Sequence, residues 1–154
     1  MSKLKEKAIS LGLCQDWQKS WSESRLVEMY LRGITWCMER KYPSLKEMEP
    51  YKEMLENNYV FNDRPVDLIL TGHTYVLNKC TGCVEINDYN VSRIYVALDS
   101  IVKVYAKNSS HLIIDCYDNA IIQLDVDSDS KVTVWQYGNS VVQILSGKAK
   151  INKR

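Results

Sequence analysis

What the chain lacks narrows its chemistry first. It has two histidines, His73 and His111, and neither sits in a nucleophile or metal-binding motif, which makes a hydrolase hard to build. No Gly-rich phosphate loop is present, and glycine is scarce at six residues. Charge is balanced at a formal +1, giving no general attraction to nucleic acid or to an anionic membrane. No run of about 18 apolar residues occurs, so no membrane-spanning helix is predicted. The opening Met1-Ser2-Lys3-Leu4-Lys5-Glu6 has no apolar signal core, so export is not expected. Five cysteines is an odd number and fits a reducing cytoplasm better than a disulfide framework. The reading is of a non-enzymatic protein with no cofactor.

What is there is a repeat. From Val91 the chain reads VSRIYVALDS, IVKVYAKNSS, HLIIDCYDNA, IIQLDVDSDS, KVTVWQYGNS, VVQILSGKAK. Five blocks end in a small residue: Ser100, Ser110, Ala120, Ser130 and Ser140. A turn former precedes each: Asp99, Ser109, Asn119, Asp129 and Asn139. Apolar residues alternate within blocks, as in Leu112, Ile114 and Cys116. A period of two marks a half-buried strand. The block length is even, so even positions are predicted to face inward, Val104, Ile114, Leu124, Val134 and Ile144 among them.

Alternate blocks match better than neighbours. Ile101, Ile121 and Val141 correspond, as do Lys103, Gln123 and Gln143, and His111 with Lys131. That favours a coil of two blocks, about 20 residues, over a hairpin meander. Asn-Gly and Asp-Gly hairpin turns are absent, with only Gly138-Asn139 coming close. The expected class is α+β: an N-terminal helical cap over residues 1–63, then a short β-solenoid over 64–154 starting near Pro65-Val66.

The first segment has helical spacing through Leu26, Met29, Tyr30, Gly33, Ile34 and Cys37, with Ser22 as a candidate cap and Trp21 and Leu26 as a hydrophobic staple. Ser44 and Glu47 form a capping-box signature, and Pro50 interrupts or restarts the helix that follows. A shorter helix is predicted over Lys3 to Leu11, ending at Gly12. Trp17, Trp21 and Trp36 and all five methionines lie in this segment, bulk suited to covering an open coil end.

Two clusters have the composition of metal sites. Cys80 and Cys83 form a CxxC, but no second pair completes it, and plain turn cysteines are the simpler reading. Asp125, Asp127 and Asp129 alternate along one predicted strand; the EF-hand pattern fails, and a solvated acidic face is expected. No metal is predicted. More informative are Tyr95, Tyr117, Trp135 and Tyr137, all odd and so outward on one predicted sheet face. Three readings are open: the rings receive the helical segment, form an interface with another copy or another protein, or stack on a glycan. The lysine-rich tail (Lys148, Lys150, Lys153, Arg154) is expected to discourage strand pairing at the far end.

The stretches LGLCQDWQKSW and LVEMYLRGITWC, followed by the short-repeat tail, resemble small uncharacterised proteins of gut Bacteroidetes and their phages and mobile elements. That resemblance implies an accessory protein and assigns no residue a role. The expected function is a structural or binding module that self-associates through the aromatic face. The alternatives are carbohydrate or surface recognition, and a small intracellular inhibitor of a host system.

Overall fold

A computed structural model describes residues 2–154; Met1, counted above in the helical segment, lies outside the described residues. The chain forms two compact units that divide between Leu55 and Glu56, upstream of the boundary read from the sequence.

The first unit is built of short helices: α1 (Lys3–Ser10), α2 (Gln15–Lys19), α3 (Leu26–Arg32), α4 (Ile34–Arg40), α5 (Leu45–Met48) and α6 (Lys52–Asn57), the last running across the division. The sequence accounts for most ends. Ser2 Oγ accepts from Lys5 N–H to start α1, and Gly12 beyond it has φ +90°. The Ser44–Glu47 capping box is formed in both directions. Pro50 lies in a 3₁₀ turn, Glu49–Tyr51, between α5 and α6. The periodic run from Leu26 is not one helix. Gly33 adopts φ −103° and ψ +25° and divides it into α3 and α4. Ser22 does not cap it either: its hydroxyl meets Ser24, and a 3₁₀ turn at Glu23–Arg25 intervenes. Met29, Tyr30, Ile34 and Cys37 are nonetheless buried, because the apolar spacing survives the break.

The second unit is a parallel β-solenoid of about five turns. Its strands are β1 (Val60–Asn62), β2 (Pro65–Leu70), β3 (Thr74–Asn78), β4 (Thr81–Ile86), β5 (Val91–Ala97), β6 (Ile101–Ala106), β7 (His111–Cys116), β8 (Ile121–Val126), β9 (Lys131–Gln136), β10 (Val141–Ser146) and β11 (Lys150–Lys153). Odd strands stack in the order β1-β3-β5-β7-β9-β11, and even strands as β10-β8-β6-β4-β2. Every pairing is parallel and joins alternate strands, which excludes a hairpin meander. One coil is two strands and two corners.

The in-register matches are the sequence matches. Ile101 pairs with Ile121 and Ile121 with Val141; His111 pairs with Lys131. The spacing is 20 in the regular coils (Ile121 less Ile101) but 16 at the start (Val76 less Val60) and 19 next (Ile94 less Tyr75). The odd step reverses parity: Tyr75 and Leu77 of β3 are core, whereas even positions are core from Cys80 onward.

Corner chemistry explains the block endings. Ser100, Ser110 and Ala120 are fully buried, and Ser130 and Ser140 nearly so. Larger side chains would crowd the coil interior at these bends. The serine hydroxyls close the corners. Cys80 N–H donates to Ser100 Oγ at 2.9 Å, and that hydroxyl donates to Ala97 O at 2.8 Å. Ser110 and Ser130 hydroxyls meet at 3.2 Å, one coil apart. Leu98, Asp118 and Gly138 occupy the same corner position 20 residues apart, with φ +58°, +57° and +59°.

Val104, Ile114, Leu124 and Val134 are fully buried as expected, but Ile144 is 43% exposed. It lies on β10, the edge strand of its sheet, where no further strand covers it. The lysine-rich tail forms the last strand of the other sheet: Lys150–Lys153 pairs along β9 as β11.

Ile114→Ala or Leu124→Ala should cost about 2–5 kcal/mol in chemical denaturation, from lost transfer energy and a residual cavity. Ile144→Ala should cost clearly less, and Gln123→Ala about 0.5 kcal/mol or less. Glycines should separate by environment. A Cβ on Gly82 would lie 1.9 Å from Val66 O, so Gly82→Ala should unfold or severely destabilise the solenoid. A Cβ on Gly138 would meet nothing closer than 3.5 Å, so Gly138→Ala should cost only the positive-φ penalty of about 1–2 kcal/mol.

Candidate functional site

The outward rings do not form one exposed face. Tyr95 on β5 and Trp135 on β9 share an outward column, with Asp115 between them in register. Tyr117 and Tyr137 lie beyond the ends of β7 and β9, at a corner, where their rings stack in parallel at 4.4 Å. Tyr95 is 6% exposed and Tyr117 5%, so the accessible members are Trp135 and Tyr137, both half-buried. Arg154 covers part of Trp135 at 4.5 Å. Burial raises the phenol pKa of both Tyr95 and Tyr117.

Periodicity did not reveal the charge inside this column. Asp115, 1% exposed, accepts a two-pronged pair of bonds from Arg93 at 2.8 and 3.1 Å. Arg93 in turn lies 5.1 Å from the Tyr95 ring. Asp115 stands at an odd position like the rings, and this was the available signal.

The acidic run is not one carboxylate face. Asp125 points out from β8 beside Tyr105 in register, while Asp127 and Asp129 lie in the following corner. Asp127 caps that corner, accepting from the N–H groups of Asn108, Asp129 and Ser130, and these bonds hold its carboxyl below the usual range. The CxxC is divided as well: Cys80 is buried in the core, and Cys83 is exposed in register with Asp67 and Lys103. Among the described residues no cluster of three or more His, Cys, Asp and Glu side chains is placed to hold a metal ion. Burial pushes the Cys37 and Cys116 thiols up to about 12, so both stay protonated at neutral pH. His111 begins β7 on the surface, and His73 stacks on Tyr59 at 4.4 Å.

A concave feature lies in the helical unit. A cavity of about 290 Å³ opens among α1, α2, α3, α4, α5 and α6. Trp17, Trp21 and Trp36 line it, with Leu26, Met29 and Met48 among the other apolar walls. Each tryptophan is half-buried. Arg40 stacks at 4.7 Å on Trp36, and Arg32 lies 5.9 Å from Trp17. The break at Gly33 contributes: Gly33 itself lines the cavity, and a Cβ there would press on Met29 O at 3.2 Å. The sequence marked these tryptophans as bulk. Helical spacing identified the buried side of α3 and α4, but not the gap left where short helices fail to close.

The chain is therefore defined as a two-sheet parallel β-solenoid preceded by a unit of short helices. Comparison with protein-family models, with curated proteins and with solved structures gives no match. No helix among the described residues is long and apolar enough to cross a membrane.

If Trp135 and Tyr137 are the accessible part of a contact surface, changing both to Ser should lower the sedimentation coefficient of any oligomer while the β signal in circular dichroism is retained. Unchanged assembly with a lower melting temperature would assign the two rings to intramolecular packing alone.

Proposed function

We propose that the protein is a non-catalytic binding module whose helical unit takes up a small apolar molecule. The supporting observation is the tryptophan-lined cavity. Soluble proteins seldom leave this much contiguous apolar surface around a concavity without a use for it. Such a module suits the accessory role implied by the resemblance to small phage and mobile-element proteins. At about 30 Å³ per water-sized group, the space takes a ligand of roughly ten non-hydrogen atoms. An eight-carbon chain would gain at most about 6 kcal/mol, at about 0.8 kcal/mol per buried methylene, so its Kd should be no tighter than the order of 10 µM.

A second reading keeps the rings as an interface between copies. The flat, parallel Tyr117–Tyr137 stack and the half-buried Trp135 favour it, since aromatic side chains supply much of the energy of protein contacts.

Three of the four tryptophans line the cavity, so intrinsic fluorescence should report its occupancy. In a Trp135→Phe background, 1-octanol should change the emission saturably. Ala8→Leu, which adds volume at a buried lining position, should weaken that response at least several-fold with unchanged circular dichroism. A non-saturating response, or one indifferent to Ala8→Leu, would remove the cavity from the function.

A further inference from the structure

We propose that the ligand of this cavity carries an anionic head, and that Arg40 receives it; the occupant is a medium-chain carboxylate of about octanoate size. The inference rests on the apolar-ligand reading above and adds the chemistry of one end.

Among the described residues only two charged side chains line the cavity, Arg40 and Glu47. Glu47 is already engaged. Its carboxylate accepts from Lys7 Nζ at 2.8 Å and from Ser44 N–H at 2.8 Å. Burial alone would raise its pKa, but these bonds outweigh burial and hold it below the usual carboxylate range. Glu47 therefore has a local cation and offers little to a cationic ligand.

Arg40 is only partly engaged. Its Nε donates to Leu11 O at 3.0 Å, which fixes the side chain in place. Its Nη1 reaches the exposed Glu39 at 3.4 Å, a long contact between sequence neighbours. Its Nη2 has no protein partner among the described residues. The guanidinium plane is braced on Trp36, and the side chain is 34% exposed, enough to keep the fork accessible. A guanidinium held by one nitrogen, backed by an indole and presenting its remaining N–H groups is well suited to a carboxylate. Its position also fits an amphiphile: the head at Arg40, the chain against Trp36 and the apolar interior.

Two of the lining phenols, Tyr42 and Tyr51, offer no competing donor to an anionic head. Tyr42 donates its hydroxyl to Leu4 O, and Tyr51 donates to Glu23. Both are lining residues committed to protein partners.

The test is calorimetric titration of the 154-residue chain with sodium octanoate, 1-octanol and octylamine at neutral pH. Octanoate should bind about tenfold or more tighter than 1-octanol, the effect of one charge-assisted hydrogen bond. Octylamine should be weakest. Arg40→Gln should abolish the preference of octanoate over 1-octanol, with a circular dichroism spectrum matching the parent's to show that the variant is folded. Arg40→Lys should recover part of the preference. Equal binding of octanoate and 1-octanol, or a preference that survives Arg40→Gln, overturns the anionic assignment while the apolar cavity stands. Tightest binding by octylamine overturns it as well, in favour of Glu47. Binding of none of the three overturns both this inference and the reading beneath it.

Discussion

The register between successive coils is the constraint on which the solenoid depends. Each strand donates and accepts along its whole length to the strand one coil away, as Ile101–Ala106 does with Ile121–Val126. Parallel pairing of this kind leaves no freedom within a coil. If one residue shifts, Leu124 leaves the core and Gln123 enters it. The corners must therefore turn in a fixed number of residues, and the small buried residues and left-handed corner positions follow from that. Ser100 and Ser110 are not merely space savers. Their hydroxyls satisfy backbone groups at bends where the ladder cannot.

The helical unit follows a different logic. Its longest helix, α1, has eight residues, so none is stable alone and all depend on packing. Short helices meeting at a glycine break and several caps do not fill space as completely as a coil does. The same sequence economy that makes the solenoid interior close-packed leaves the tryptophan-lined gap here. Rigid repeat and imperfect bundle are two outcomes of one chain, and the binding proposal belongs to the second.

How much was legible depends on periodicity. The alternation from Val91 onward specified strands, and the match between alternate blocks specified parallel stacking, because identical corners require identical spacing. The first coils were harder to read. Their steps of 16 and 19 residues break the repeat, so β1 at Val60–Asn62 and the inward turn of Tyr75 left no periodic trace. Odd parity placed the aromatic set outward without showing what surrounds it, and the burial of Tyr95 and Tyr117 depends on neighbours that parity does not describe. Asp127 read as a strand residue because alternation was extended past Val126, where the turn had already begun. The helical spacing through Gly33 continued across a break that only the backbone reveals. Arg40 carried no signal at all: its importance lies in which of its nitrogens remain unpartnered.

The shared corner position of Leu98, Asp118 and Gly138 has a consequence for how such a chain can change in length. Three unrelated side chains hold one backbone conformation there, so the coil geometry is set by the stack rather than by any one turn residue. A segment such as 101–120 begins and ends at equivalent points, with Ile101 and Ile121 in register. Removing or duplicating it joins the end of one corner to the start of a β-strand, as in the intact chain, with every side chain on its proper side. Losing a single residue anywhere in the same stretch does not. The solenoid is in this sense quantised: it can lengthen or shorten by whole coils, and is nearly rigid against every smaller step.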